Sequence, residues 1–192
     1  MPVHRVRLLG DPILRAKCAP VKNPKSPAVR LVADDLHETL SDLKARLGMG
    51  RGLSAPQIGA PLRLVYVHLD APWFLVNPEI VDIGTADFHV WDDCFSAPQL
   101  LVRVQRAWEI RVRYQDLSGN EHELDARKEL AELLQHEIDH LDGVLTVDRP
   151  VGLDPFCYRE EWQKHHPGER RYGRKFTRRM DAALEVVGSE TL

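Results

Sequence analysis

Gln135-His136-Glu137-Ile138-Asp139-His140-Leu141 is the stretch around which the chain is organised. Read as helix, it stands His136 and His140 one turn apart on the same face, with Cβ atoms about 6 Å apart, so that both imidazoles reach one metal ion. Glu137 follows the first of them. Its carboxylate falls beside the metal's open position, where it takes a proton from water and later delivers it to a leaving group. That is a hydrolytic arrangement. Two histidines flanking an acid also occur by chance on polar helix faces, so the neighbours must decide. The extended pattern of the metzincin proteases has Gly three residues after the second His and a third His three further on. Gly143 is present, but Thr146 stands where that histidine is required. A third ligand must come from elsewhere. Cys94, in Asp92-Asp93-Cys94-Phe95-Ser96-Ala97-Pro98, is the best-placed candidate, a lone thiol in a polar, turn-like segment. One thiolate with two imidazoles leaves a tetrahedral position open for water.

Length and composition bound the rest. A chain of 192 residues, 43% hydrophobic and 29% charged, suits one soluble globular domain with a substantial core and a short appendage. The net charge of −3 argues against DNA or an anionic membrane as a partner. No long apolar run follows Met1-Pro2-Val3-His4-Arg5, and no stretch approaches the length of a membrane span, so the expected location is the cytoplasm. Cys18, Cys94 and Cys157 are too few and too scattered for a disulfide framework, and Cys18 and Cys157 read as structural thiols.

Asp11 to Val21 reads as an extended or turning lead-in. From Ser26-Pro27, a cap followed by proline at the first helical position, Val29, Val32, Ala33, Leu36, Leu40, Leu43 and Leu47 recur at helical spacing until Gly48. The loop Gly50-Arg51-Gly52-Leu53-Ser54-Ala55-Pro56-Gln57-Ile58-Gly59 lacks the Gly-Lys-Ser/Thr of a phosphate loop. Its glycines instead allow close approach of a ligand, and Gln57 offers an amide donor. Strands are expected at Leu62–Leu69, Trp73–Val76, Phe88–Trp91 and Leu100–Val104, with a hairpin of Trp108–Tyr114 and Glu121–Leu124 around Gly119-Asn120. The metal helix is expected from about Ala126 to Leu141, with Val144–Val147 extended after it. Short strands joined by tight turns give an α+β fold, antiparallel or mixed sheets packed around the central metal-binding helix. Residues 1–150 form the catalytic domain and 151–192 a basic, helical extension. Arg170, Arg171, Arg174, Lys175, Arg178 and Arg179 make that extension basic beside a stripe of Tyr172, Phe176, Met180, Ala183, Leu184 and Val187. This suits a helix docked on the domain or, less favoured, a ribosome contact.

With these segments in order, the chain resembles the peptide deformylases. That family carries Gly-x-Gly-Leu-Ala-Ala-x-Gln-x-Gly, Glu-Gly-Cys-Leu-Ser and Gln-His-Glu-x-Asp-His, here matched by Gly50–Gly59, Asp92–Ser96 and Gln135–His140. The resemblance covers about residues 8–150. It implies that Cys94, His136 and His140 hold one divalent ion, ferrous iron first, with zinc, nickel or cobalt as alternatives. It also implies that Glu137 transfers protons, and that Gln57 and the backbone N–H of Phe95 hold an oxyanion at about 3 kcal/mol per donor. The substrate is an N-formylated peptide or a small formylated compound. Its backbone would pair with Gly50, Arg51 and Gly52 as an added strand. Leu53, Val90, Asp93, Glu129, Glu132 and Leu133 complete the substrate cleft. Asp139 is expected to pair with a base such as Arg103.

The chain departs from that pattern where the substrate would lie. Asp93 stands for Gly, Arg51 for an aliphatic residue and Ser54 for Ala. Glu129 and Glu132 lie on the His136 face of the helix, at positions that are apolar in the family. A buried carboxylate without a partner costs several kcal/mol, so these acids need a partner, water or a cationic substrate. Arg51 could neutralise one of them. The resulting expectation is a formyl-amide hydrolase whose substrate is polar or basic. The alternatives are an ordinary deformylase of nascent N-formylmethionine chains and a catalytically silent binding module.

Overall fold

The computed structural model describes residues 3–166 and 168, so the basic stretch from Arg170 and its apolar stripe lie outside the described residues. Helix α1 (Pro27–Leu47) begins where expected. The Ser26 side chain accepts from the Val29 N–H, and the helix ends at Gly48 with φ 66°, a left-handed conformation that costs glycine little. Among the described residues, eight strands follow in chain order: β1 (Gly52–Ser54), β2 (Leu64–His68), β3 (Pro72–Ile83), β4 (Asp87–Asp93), β5 (Leu100–Ala107), β6 (Glu109–Gln115), β7 (Glu121–Arg127) and, past the His136 helix, β8 (Phe156–Tyr158). They form a five-stranded sheet in the order β1-β2-β3-β6-β7 and a three-stranded sheet in the order β4-β5-β8. Every pairing between these strands is antiparallel. The α+β architecture is that expected.

Helix α2 (Glu129–Leu141) lies between the sheets. Alternation along β2 places Val65 and Val67 in a core with Ala131, Leu134, Ile138 and Leu141 of α2, and Leu64 and Tyr66 in a second core with Leu36 and Leu40 of α1. One sheet is thus covered on both faces. The remaining face of α2, carrying His136 and His140, turns to β4 and β5.

Several boundaries differ from the expected ones, among them those of β3 and β5, which run on to Ile83 and Ala107. The hairpin strand β7 runs on to Arg127, paired with Glu109, so Ala126 is strand rather than helix. Lys128, at φ 55°, makes the corner, its N–H donating to Trp108 O at 2.8 Å, before α2 starts. Thr146–Asp148 is a 3₁₀ turn and not extended, because the Asp148 carboxylate accepts from the Leu145 N–H at 2.8 Å. After Pro150 the chain keeps packing on the same unit: β8 pairs with β5 at Leu100–Val102, and helix α3 (Arg159–His165) buries Trp162 against Trp91 and Leu101.

Candidate metal centre and substrate cleft

The i,i+4 spacing on α2 brings the Nε2 atoms of His136 and His140 to 3.2 Å, and the end of β4 delivers Cys94 Sγ to 3.2 Å from His140 Nε2. The three donor atoms lie within 4.8 Å of one another, and all three residues are buried. Donors held about 2.0–2.3 Å from a common tetrahedral centre are about 3.3–3.6 Å apart, so the set fits one divalent ion.

The surroundings aim these donors. His136 Nδ1 is 3.0 Å from each carboxylate oxygen of Asp92, which turns Nε2 toward the ion site. Burial opposes both charges here, but Asp92 holds His136 well above the ordinary histidine value, while His136 and Arg106 hold Asp92 below the usual carboxylate range. His140, pushed down by burial and by the charge of His136, stays neutral, the ligating form. Behind the pair, Arg106 donates to Asp92 at 3.0 Å and to Asp139 at 2.6 Å, and Arg149 also donates to Asp139 at 2.6 Å. The partner of Asp139 is therefore Arg106, with Arg149, and not Arg103. Val104 and Arg106 point inward from β5, whereas Arg103 and Gln105 point to solvent by the same alternation. Gln135 pairs with both backbone groups of Ala107 at 3.0 Å, tying α2 to the same strand.

Glu137, 3% exposed, stands beside the ligands. Burial raises its carboxyl above the ordinary value, and the Ser54 hydroxyl, donating to Oε2 at 2.9 Å, opposes that shift less strongly. Gly52 is required here, since a Cβ at that position would come 2.7 Å from Glu137 Oε1. The Gln57 carbonyl accepts from the Ser54 N–H at 3.0 Å, so its amide points at the site, with Nε2 3.4 Å from Cys94 Sγ and 3.2 Å from Ser96 Oγ.

The adjoining cleft is lined by Leu47, Met49, Gly50, Arg51, Gly52, Gln57, Asp92, Asp93, Phe95, Pro98, Leu133 and Arg159, together with Cys94, His136 and Glu137. Leu53 instead packs in the core under α1, and Val90 packs with Val102 and Val104 behind the cleft. Glu129 and Glu132 are absent from its wall. Glu132 is fully buried, its carboxylate 2.8 Å from Arg51 Nη2, and Glu129 meets Arg51 through its carbonyl at 3.3 Å. The expected acidic pocket is thus corrected: Arg51 draws the Glu132 charge away from the cleft. Leu47, Met49, Pro98 and Arg159 are wall residues the motifs did not mark. Nor did the motifs mark Asp92 and Arg106 as supports of His136, although an acid two residues before a candidate ligand is a usable signal.

A cysteine and two histidines converging beside a buried carboxylate, on an α+β frame, define a metallohydrolase class of site. The polypeptide deformylase profile matches residues 3–155. A peptide deformylase of Mesorhizobium japonicum is 39% identical over 154 residues, 77% of this chain and 84% of its own length. The crystal structure of peptide deformylase from Thermotoga maritima superposes with a TM-score of 0.73 at 31% identity, over 79% of this chain and all of that one. A class I type b peptide deformylase from Acinetobacter baumannii, solved with Met-Ala-Ser bound, gives 0.70 at 29% identity over 77% of this chain and 98% of its own. The chain belongs to the polypeptide deformylase family. No helix among the described residues is long and apolar enough to cross a membrane.

Proposed function

We propose that this hydrolase removes the formyl group from N-formylated peptides whose first side chain is apolar, N-formylmethionine chains among them, releasing formate and a free amine. The observation that carries the reading is the convergence of Cys94, His136 and His140 next to buried Glu137, in a cleft walled by Leu47, Met49, Phe95, Pro98 and Leu133. The Met-Ala-Ser bound to the Acinetobacter relative supports a peptide ligand. A divalent ion held by those three ligands supplies Lewis acidity, and this donor set suits ferrous iron, the ion we favour, as well as zinc, nickel or cobalt.

The chain's own residues do the rest. Glu137 accepts a proton from the attacking water and returns it to the departing amine. Its raised pKa suits both steps. The Gln57 amide and the Phe95 N–H face the developing oxyanion, and because Ser54 already holds the Gln57 carbonyl, little reorganisation is needed. β1 is the terminal strand of its sheet, which leaves the Gly50–Gly52 backbone suited to pair with an extended peptide. The expected preference for a basic residue loses its support, because neither Glu129 nor Glu132 lines the cleft and Asp93 is bound to Arg159.

The test is formate release by anaerobically purified, iron- or cobalt-loaded protein from formyl-Met-Ala-Ser and formyl-Lys-Ala-Ser, with Glu137→Ala as control. The methionine peptide should be turned over at least about tenfold faster. Preference for the lysine peptide would overturn the apolar cleft, and no formate from either would overturn the hydrolase reading.

A further inference from the structure

We infer that Arg159, four residues beyond the end of the family match, is a positioning residue for the metal centre, and that it acts as a clamp on the loop carrying Cys94 and Phe95. This rests on the reading of Cys94 as a ligand. The loop leaves β4 at Asp93 and enters β5 at Leu100. Arg159 grips it at both ends. Its Nη2 donates to the Asp93 carboxylate at 2.5 Å, its Nε to Pro98 O at 3.0 Å, and its backbone N–H to Gln99 O at 2.9 Å.

Both side chains of the ion pair are only 4% exposed, so water screens the contact little. Arg159 is itself held. β8 pairs with β5 immediately before it, and Trp162, one turn further along α3, is buried against Trp91 and Leu101. A planar fork bound at several points fixes both direction and distance, which a single ammonium cannot. The residues between the grips include Cys94, whose sulfur must meet two imidazoles, and Phe95, whose N–H the proposed mechanism turns to the oxyanion. The ring of Phe95 also closes on Gly50, where an added Cβ would lie 2.9 Å from it. A shift of this loop therefore moves a ligand, an oxyanion donor and a cleft wall together.

A purely structural ion pair would behave differently from a clamp, and two full-length variants separate them. Arg159→Met breaks the grip and strands the Asp93 charge. Asp93→Ala/Arg159→Met breaks the grip and strands no charge. The readouts are cobalt(II) loss to a chelator, the thiolate-to-cobalt absorption band, the denaturant midpoint, and kcat and KM for formyl-Met-Ala-Ser. The double variant should recover the midpoint lost in Arg159→Met, yet still release cobalt about tenfold faster than the wild type, with kcat reduced and KM within about threefold. If Arg159→Met does not fold, the double variant decides alone. Wild-type cobalt retention in the double variant would overturn the clamp. A wild type lacking the thiolate band, or full cobalt loading of Cys94→Ala, would instead overturn the metal assignment itself.

Discussion

The inner and outer walls of the cleft are built on different principles. The inner wall gathers its chemistry from neighbours in sequence: His136, Glu137 and His140 share one stretch of α2, and Asp92 and Cys94 share one strand end. The outer wall depends on partners far apart in the chain, Arg51 with Glu132 across 81 residues and Asp93 with Arg159 across 66. Local geometry sets the spacing within each segment of the inner wall, although docking must still bring Cys94 to His140 across 46 residues; the outer wall rests on docking alone. The inner wall should therefore lose function when altered while keeping its fold. The outer wall should lose stability as well.

The largest expected effect tests the inner side. Glu137→Gln should lower kcat about 10³-fold, the middle of the range for a proton-transferring side chain, while metal content and the unfolding midpoint stay near those of the wild type. A loss below tenfold would mean that another group moves the proton. Next is the Arg51–Glu132 pair. Burial outweighs Arg51 and raises the Glu132 carboxyl above its ordinary value, and Glu132 Oε1 has no hydrogen-bond partner among the described residues. Arg51→Leu should therefore cost about 3–5 kcal/mol in denaturant unfolding, whereas Arg51→Leu/Glu132→Leu should be neutral or stabilising by about 1–4 kcal/mol. If the double variant is as unstable as the single, the cost lies in packing around the arginine stem and not in the stranded charge.

The same contrast explains what the sequence could and could not supply. Helical spacing places His136 and His140 together whatever else the chain does, and the lone thiol beside a turn completes the set. The alternation of β6 likewise announces its hairpin. The direction of a side chain around the helix is another matter. Glu132 shares the face of His136 by spacing, but whether its carboxylate enters the cleft depends on where Arg51 sits, and that follows from the docking of β1 on α2. The choice between Arg103 and Arg106 as partner of Asp139 turned on the phase of β5, which slips from inside to outside with one residue of register. Arg159 left no trace in any motif, because its role exists only once β8 has paired with β5.

A smaller effect should sharpen the inner side further. Asp92→Asn keeps the shape but removes the charge that orients His136, and should weaken metal affinity about 10–100-fold with little change in the fold. Competition with a chromogenic chelator measures it. Unchanged affinity would show that packing alone holds the imidazole.

The smallest effect contrasts two buried thiols. Cys94 meets the imidazoles, whereas Cys18 is packed beneath α2 with its N–H on Leu141 O at 2.8 Å, and burial, opposed by Arg63, raises its pKa from 9.0 to about 11. A raised folded-state pKa means that the stabilising contribution is fully present below pH 9, where both states hold the proton. As pH rises, the unfolded chain ionises first, so stability falls until the folded thiol also titrates near 11. In reductant, the unfolding free energy should drop across this window by about 2 kcal/mol more in the wild type than in Cys18→Ala. Lysines and tyrosines titrate in the same range, and the difference between the two proteins removes their share. Parallel curves would mean that the Cys18 thiol ionises as easily in the fold as in the unfolded chain, and that water reaches the core beneath α2.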